Sequence, residues 1–145
     1  MTKSQISNPK LSPEDYESIS NSFNRLNESE KIYNLEERTY LFAAATRKFV
    51  RRIPKDICNI EDIPQLVRAS GSVAANYIEA NENVSKKDFY YRIKICKKEA
   101  KESRLFLRLL EAGIRIELES DRKWLFQETT EFIKIFQSML KNEPK

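Results

Sequence analysis

Apolar and small residues recur at steps of three and four in four long stretches of the chain, which is the spacing of one buried helix face. The stripe of the first stretch runs Leu35, Thr39, Phe42, Thr46, Phe49, Ile53. We expect this helix to begin at Asn34, where Glu37 completes a capping box, and to end before Pro54.

The other three stretches predict three further helices. The second helix is expected from about 59–62 to Asn81, and the fourth from about Asp121 to Asn142. Ser85 is the predicted N-cap of the third helix, and Gly113 its residue just past the end. The stripe of the third helix has no break: Phe89, Ile93, Cys96, Ala100, Ser103, Leu107, Leu110. The stripe of the fourth is Leu125, Thr129, Phe132, Phe136, Met139.

Alternating steps of four and three are typical of nearly parallel helices that cross at roughly 20°. The gaps between the first three helices are short, which favours antiparallel neighbours. The pattern therefore predicts an all-α protein, an antiparallel up-down-up-down four-helix bundle over residues 34–143. Residues 1–33 form a polar leader in which the pattern indicates a short amphipathic helix: Ser12 would cap it, Pro13 follows, and its apolar stripe is Tyr16, Ile19, Phe23, Leu26.

The second helix is unusually small and weakly charged. Seven of the fifteen residues from Leu66 to Ala80 are Ala, Ser or Gly. Small and apolar residues form two adjacent stripes: Ile63, Leu66, Ser70, Val73, Tyr77 in one and Val67, Gly71, Ala74, Ile78 in the other. Such a wide apolar surface, with a glycine inside the helix, predicts a central helix with neighbours on several sides.

One polar ridge remains on the second helix, formed by Arg68, Ser72, Asn76 and Glu79. Polar groups on a buried helix need partners, and the flank of the third helix offers Arg92, Glu99 and Glu102. Two interpretations stay open. The residues form a salt-bridge network within one chain, or they belong to a contact between subunits, since the third helix carries a second seam.

The composition removes most enzymatic chemistries. Histidine is absent from the 145 residues, which excludes Ser-His and Cys-His nucleophile pairs and the histidine-containing zinc and di-iron motifs. No glycine-rich phosphate loop is present. We therefore expect a protein that is not an enzyme and has no cofactor and no metal. A carboxylate site at Glu79, Glu99 and Glu102 is the weakest alternative.

The sequence also bears on localisation. No apolar run approaches the length of a membrane span, and the start of the chain has no signal-peptide core. Cys58 and Cys96 are expected to be reduced, buried thiols. These features predict a cytoplasmic protein that does not contact a membrane.

Positive charge is concentrated on the third helix. Residues 85–113 carry nine Lys or Arg against four Asp or Glu, within a net charge of +4 for the chain. Seven residues form a ridge one position beyond the core stripe: Lys87, Tyr90, Lys94, Lys97, Lys101, Arg104, Arg108. Evenly spaced cations on a rigid helix suit binding to a phosphate backbone, of RNA or DNA, and Arg51 and Arg52 are further candidates. A solvated helix face is the alternative.

The segment Ser72-Val73-Ala74-Ala75-Asn76-Tyr77-Ile78-Glu79-Ala80 resembles a signature of a bacterial four-helix-bundle family. The family is named for proteins encoded in intervening sequences of 23S ribosomal RNA genes. The resemblance covers about Leu35 to Lys141. It continues in Glu37-Arg38-Thr39, Phe42-Ala43, Ser85, Phe89, Ile95, Lys98-Glu99-Ala100 and Glu102.

The resemblance implies an antiparallel four-helix bundle that assembles into a homo-pentamer. It also implies kinship with the accessory protein of diversity-generating retroelements, a basic pentamer that binds nucleic acid and a reverse transcriptase. Arg68, Asn76, Glu79 and Glu99 match polar positions of the family and would be structural or subunit-contact residues. The resulting hypothesis is a self-assembling, non-enzymatic module that binds nucleic acid through the third helix, as an accessory to another protein such as a reverse transcriptase. The alternative is a structural or protein-interaction scaffold without nucleic-acid affinity, with the leader docking onto a partner or a neighbouring subunit.

Overall fold

The computed structural model describes residues 25–111 and 115–145, together with Glu14, Ser18, Asn21 and Ser22. Within these residues the fold consists of four long helices: α1 (Glu28–Val50), α2 (Ile57–Asn81), α3 (Lys86–Leu110) and α4 (Glu119–Leu140). A 3₁₀ turn, Ile116–Leu118, leads into α4. No strand occurs within the described residues, so the predicted all-α class is confirmed.

The start of α1 differs from the prediction. The helix begins six residues before Asn34, at Glu28, and its N-cap is Asn27, whose side chain accepts from the Glu30 amide at 2.9 Å. The Asn27 amide in turn donates to the Glu30 carboxylate. This is the same reciprocal spacing that was assigned to Asn34 and Glu37, about two turns further along. The apolar stripe begins only at Leu35, so it gave no signal for the polar first turns.

The remaining boundaries lie close to their predicted positions. Asp56 caps α2 through the amide of Asn59, and Ser85 caps α3 through the amide of Asp88, as predicted for Ser85. The predicted helix-ending role of Gly113 and the apolar stripe of the leader at Tyr16, Ile19 and Phe23 lie outside the described residues.

Contacts along the helices show that successive helices run antiparallel. Going from the start to the end of α1, Glu36 pairs with Asn81 of α2 and Arg47 with Val67, so the two helices run in opposite directions. The same reversal relates α2 to α3, α3 to α4 and α4 to α1, and it closes an up-down-up-down ring. Of the four neighbouring pairs, α2 and α3 pack most extensively and α1 and α4 least. The predicted topology is confirmed.

The core is formed by the predicted stripes. Phe42, Tyr77, Ile93, Leu107 and Phe132 have at most 1 % of their surface exposed. The ring of Phe42 meets that of Phe132 edge to face, with centroids 5.4 Å apart. Burying such rings contributes roughly 1.5–3 kcal/mol each, so these side chains supply much of the stability.

The expectation that α2 is surrounded on several sides is wrong for the single chain. Its first stripe is buried, but in the second Val67, Gly71 and Ala74 are half-buried and Ile78 is 47 % exposed. Gly71 instead has a local reason. A Cβ at this position would lie 2.9 Å from Nη2 of Arg47, whose guanidinium crosses α2 to donate to the Val67 carbonyl at 3.3 Å.

Candidate nucleic-acid interface

The polar ridge of α2 faces α3 and is paired with it within one chain. Arg68 donates to Glu99 at 3.3 Å and to Glu102 at 2.8 Å. About two turns further along α2, Asn76 accepts from Arg92 of α3 at 3.1 Å. Arg92 also lies 3.9 Å from the carboxylate of Glu79. Ser72 completes the ridge.

The Ser72 hydroxyl accepts from the Asn76 amide at 2.9 Å. The structure thus gives each of the seven predicted polar residues a partner, in two clusters that we together call the polar network: Arg68 with Glu99 and Glu102, and Arg92 with Asn76, Ser72 and Glu79. Each has a partner in the same chain, and the two ends of the network remain accessible, since the side chains of Arg68 and Glu79 are 49 % and 59 % exposed.

Glu99 is the buried member of this network. Glu99 has 6 % of its surface exposed, and this burial raises the pKa of its carboxyl above the ordinary value. The hydrogen bond and negative charge of Glu102 raise this pKa further, while Arg68 and Lys98 lower it. The arrangement is a carboxylate pair held by one guanidinium. Within the described residues, no group of three or more His, Cys, Asp or Glu side chains is arranged to hold a metal ion.

The first half of the basic ridge on α3 is engaged with the end of α4. Tyr90 donates to the carbonyl of Asn142 at 3.0 Å, Lys94 pairs with Glu143 at 3.1 Å, and Lys97 donates to Gln137 at 2.7 Å. These three side chains hold the α3–α4 hairpin together. The continuous cationic ridge expected from the sequence is therefore interrupted, because part of its charge is compensated locally.

The second half of the ridge is free. Lys101, Arg104 and Arg108 make no ion pair or side-chain hydrogen bond within the part of the chain that the structure describes. Lys101 and Arg108 are exposed and Arg104 is half-buried. Along a helix these residues span about 10 Å, because each residue adds about 1.5 Å.

A fourth cation, Lys123 of α4, extends this surface and was missed in the sequence. Arg122 of α4 donates to the carbonyl of Leu107 at 3.2 Å, so the residues that follow, Lys123 and Arg108, lie at the same level of the bundle. Both are exposed. We refer to Lys101, Arg104, Arg108 and Lys123 as the basic cluster. A comparison of helix faces across the predicted antiparallel hairpin could have found Lys123.

The other proposed cations are distributed differently. Lys87 lies at the opposite end of α3 and is exposed. Arg52 is held by Asp121 at 2.8 Å. Arg51 is exposed at the end of α1, which is the same end of the bundle as Arg108. The basic cluster, Arg51 and the paired Arg52 therefore lie at one end of the bundle, while Lys87 and the paired Lys94 lie toward the other end.

The sequence also did not predict that two apolar surfaces are exposed. The first, which we call the α2 apolar face, consists of Ile60, Pro64, Val67, Gly71, Ala74 and Ile78, with Ile60 55 % and Ile78 47 % exposed. The second lies on the outer side of α3, where Tyr91, Leu105 and Leu109 are each about half-exposed. The two surfaces flank the polar network on either side. No described helix is long and apolar enough to cross a membrane.

Fold and surface together define an all-α four-helix bundle with a basic cluster at one end. The chain is similar to a crystal structure from Bacteroides thetaiotaomicron, a protein of unknown function from the S23 ribosomal protein family. The two share 26 % identity with a TM-score of 0.62, over 74 % of this chain and 98 % of the other. No protein-family model matches the sequence, and the search of curated proteins finds no match.

Proposed function

We propose that the protein is a member of the S23 ribosomal protein family whose bundle binds the phosphate backbone of a nucleic acid through the basic cluster. Family membership is supported by the shared bundle, the 26 % identity, and the fact that 98 % of the solved relative is covered. Binding is supported chiefly by one observation: Lys101, Arg104 and Arg108 stand on successive turns of α3 without an acidic partner within the described residues.

The physical basis is counterion release. Each phosphate neutralised by a Lys or Arg side chain frees a condensed cation, so the affinity falls as salt is added. Cations already paired with carboxylates contribute less, because they must exchange one partner for another. Lys94 is paired with Glu143, and Arg52 with Asp121, so the interface is centred on the basic cluster and Arg51.

The test is fluorescence anisotropy with a labelled structured RNA and a duplex DNA across a salt series. The variant carries Lys101→Glu, Arg104→Glu and Arg108→Glu. A matched control changes three other exposed lysines, Lys86→Glu, Lys98→Glu and Lys141→Glu, and so has the same net charge.

We expect binding by the native protein and the control, with a negative slope of log K against log salt of roughly 0.7–0.9 per neutralised phosphate. The cluster variant should lose this binding. Equal losses in both variants would show that total charge alone is responsible, and absence of binding by the native protein at low salt would reject the proposal.

We infer a second function from the apolar surfaces, namely assembly with further copies or with a partner protein. Ile60 and Ile78 are exposed on a face that carries no charge of its own, which is unusual on a solvated helix. The family resemblance suggests a homo-pentamer, and a protein partner such as a reverse transcriptase would make the module an accessory factor.

Light scattering after size exclusion tests assembly directly. Ile60→Glu with Ile78→Glu should reduce the mass to that of one chain, while Val84→Glu, at a 91 % exposed loop position, should not. A native protein that is a monomer at every concentration would contradict self-assembly and leave a partner protein as the remaining form of this proposal.

A further inference from the structure

The flank of α3 that carries the basic ridge has no acidic residue of its own. In the stretch 90–108 the acids are Glu99 and Glu102. Arg68 of α2 binds both of them, on the flank of α3 that faces α2. The carboxylate that reaches the ridge comes instead from Glu143, which follows α4. Within residues 25–111 and 115–145, no other acid pairs with a cation of the ridge.

The contact with the ridge is made by residues 142–143. The Glu143 carboxylate lies 3.1 Å from Nζ of Lys94, and the Asn142 carbonyl accepts from the Tyr90 hydroxyl at 3.0 Å. The backbone amides of residues 142 and 143 donate to carbonyls in the last turn of α4, at 3.2 and 3.1 Å. The segment is therefore held in place from α4, while its oxygen atoms occupy donors of α3.

The ion pair between Lys94 and Glu143 is accessible to solvent. The Lys94 side chain is 56 % exposed and the Glu143 side chain 34 %. Such a pair contributes little to stability, because water screens both charges and two long side chains lose their freedom. A phosphate group offers a lysine ammonium the same kind of charged oxygen. It can therefore replace the carboxylate at Lys94 at a small cost.

Glu143 is the one charge that compensates this half of the ridge within the described residues. Lys97 is bound by the amide oxygen of Gln137, which carries no charge, so the Lys97 ammonium is not neutralised. Steps of three and four place all six side chains from residue 90 onward on one flank: Tyr90, Lys94, Lys97, Lys101, Arg104, Arg108. Together they extend over about 27 Å of helix, against about 10 Å for the free half.

We propose that residues 142–143 form a displaceable cover over the first half of the basic ridge, in which the Glu143 carboxylate occupies Lys94 as a phosphate group would. A bound nucleic-acid backbone displaces this cover and extends the interface from the basic cluster to Tyr90. The inference rests on the proposed nucleic-acid binding and adds a regulation of the same surface. The Glu143 charge lowers the affinity of the native protein, and its removal strengthens binding.

The test is a double-mutant cycle of Glu143→Gln and Lys94→Gln in the full chain. Binding is measured by fluorescence anisotropy with a labelled structured RNA and a duplex DNA, at low and at physiological salt. The matched control is Glu37→Gln. It removes the same charge from an exposed acid of α1 that makes no ion pair within the described residues. Circular dichroism checks that every variant keeps the helical content of the native protein.

We expect Glu143→Gln to bind about two- to fivefold more tightly than the native protein, which is the range of an exposed ion pair. The gain should be largest at low salt, because salt screens exposed charges. Lys94→Gln should weaken binding more in the Glu143→Gln background than in the native one, where the lysine has to exchange one partner for another. The control should bind like the native protein.

Two results would overturn the inference while leaving the proposed function intact. Equal gains in Glu143→Gln and Glu37→Gln would show that total charge alone sets the affinity. An equal effect of Lys94→Gln in both backgrounds would show that Glu143 does not compete for Lys94. Absence of binding by the native protein and by every variant would reject the proposed function itself, and the inference with it.

Discussion

Arg38 of α1 and Glu128 of α4 form a two-pronged ion pair, with Nε 2.8 Å from Oε2 and Nη2 2.9 Å from Oε1. Both side chains are largely buried, at 14 % and 6 % exposure, and the guanidinium lies 5.4 Å from the centre of the Phe132 ring. The pair therefore fixes the level at which α1 and α4 meet and also covers the aromatic core.

Removing one member of this pair should be more costly than replacing both. We expect Glu128→Ala to lower the free energy of unfolding by about 3 kcal/mol, because it removes the two-pronged carboxylate partner of a largely buried guanidinium. The double change Arg38→Met with Glu128→Leu should recover most of this loss. Urea denaturation followed by circular dichroism measures both. A single variant that is no less stable than the native protein would show that the pair is solvated in practice.

Gly71→Ala should stabilise the protein modestly. Alanine is favoured over glycine in a helix interior by roughly 0.8–1 kcal/mol, and the new methyl group displaces only the end of the Arg47 side chain, whose bond to Val67 is long. The gain should be larger in an Arg47→Ala background, where no guanidinium has to move. Thermal unfolding of the native protein, the two single variants and the double variant gives the comparison. If Gly71→Ala destabilises the native protein by more than it stabilises the Arg47→Ala variant, the Arg47 contact matters more than helix propensity.

Glu99 and Glu119 should give pH dependences of opposite sign. Burial raises the pKa of the Glu99 carboxyl, so the folded state binds its proton more tightly, and stability falls as the pH rises from the unfolded to the folded pKa. Hydrogen bonding to Arg122 lowers the pKa of Glu119, so its contribution is present above the unfolded pKa and is lost as the pH falls through the folded one.

The same conservative change therefore has two outcomes. Relative to the native protein, Glu99→Gln should change the free energy of unfolding more favourably at neutral than at mildly acidic pH. Glu119→Gln should lower the free energy of unfolding at neutral pH. Urea titrations of both variants at the two pH values make the comparison. Shifts of the same sign in both variants would contradict the assignment.

The two cysteines should react at very different rates. Cys58 is exposed near the start of α2, which corrects the expectation that both thiols are buried, whereas Cys96 lies in the core. Burial raises the pKa of the Cys96 thiol to about 12, so almost no reactive thiolate forms at neutral pH. One thiol should react with Ellman's reagent immediately and the second only on unfolding. Cys58→Ser should remove the fast phase alone.

The sequence predicted the bundle because each core stripe has a period that only a helix satisfies, as Ile93, Cys96, Ala100 and Leu107 show. It also predicted which polar groups meet, since Arg68 and Glu99 are complementary charges on facing helices. It could not predict that Lys94 and Lys97 are engaged by Glu143 and Gln137, because these partners lie 49 and 40 residues away, after α4 and within it. The prediction that the second stripe of α2 is buried was wrong for the same reason. Whether Ile78 faces a neighbour or solvent depends on the position of α1, which periodicity within α2 does not encode.

The uneven packing of the four seams has a consequence for the folding pathway. The α2–α3 hairpin combines the most extensive packing with a connection of only four residues. Closing this short connection costs little chain entropy, and it forms the largest helix–helix contact of the bundle. We expect it to form first, with α1 and α4 docking afterwards, because their seam joins segments distant in sequence. Native-state hydrogen exchange would then find the slowest amides in the middle of α2 and α3, and the earliest openings along α1 and α4.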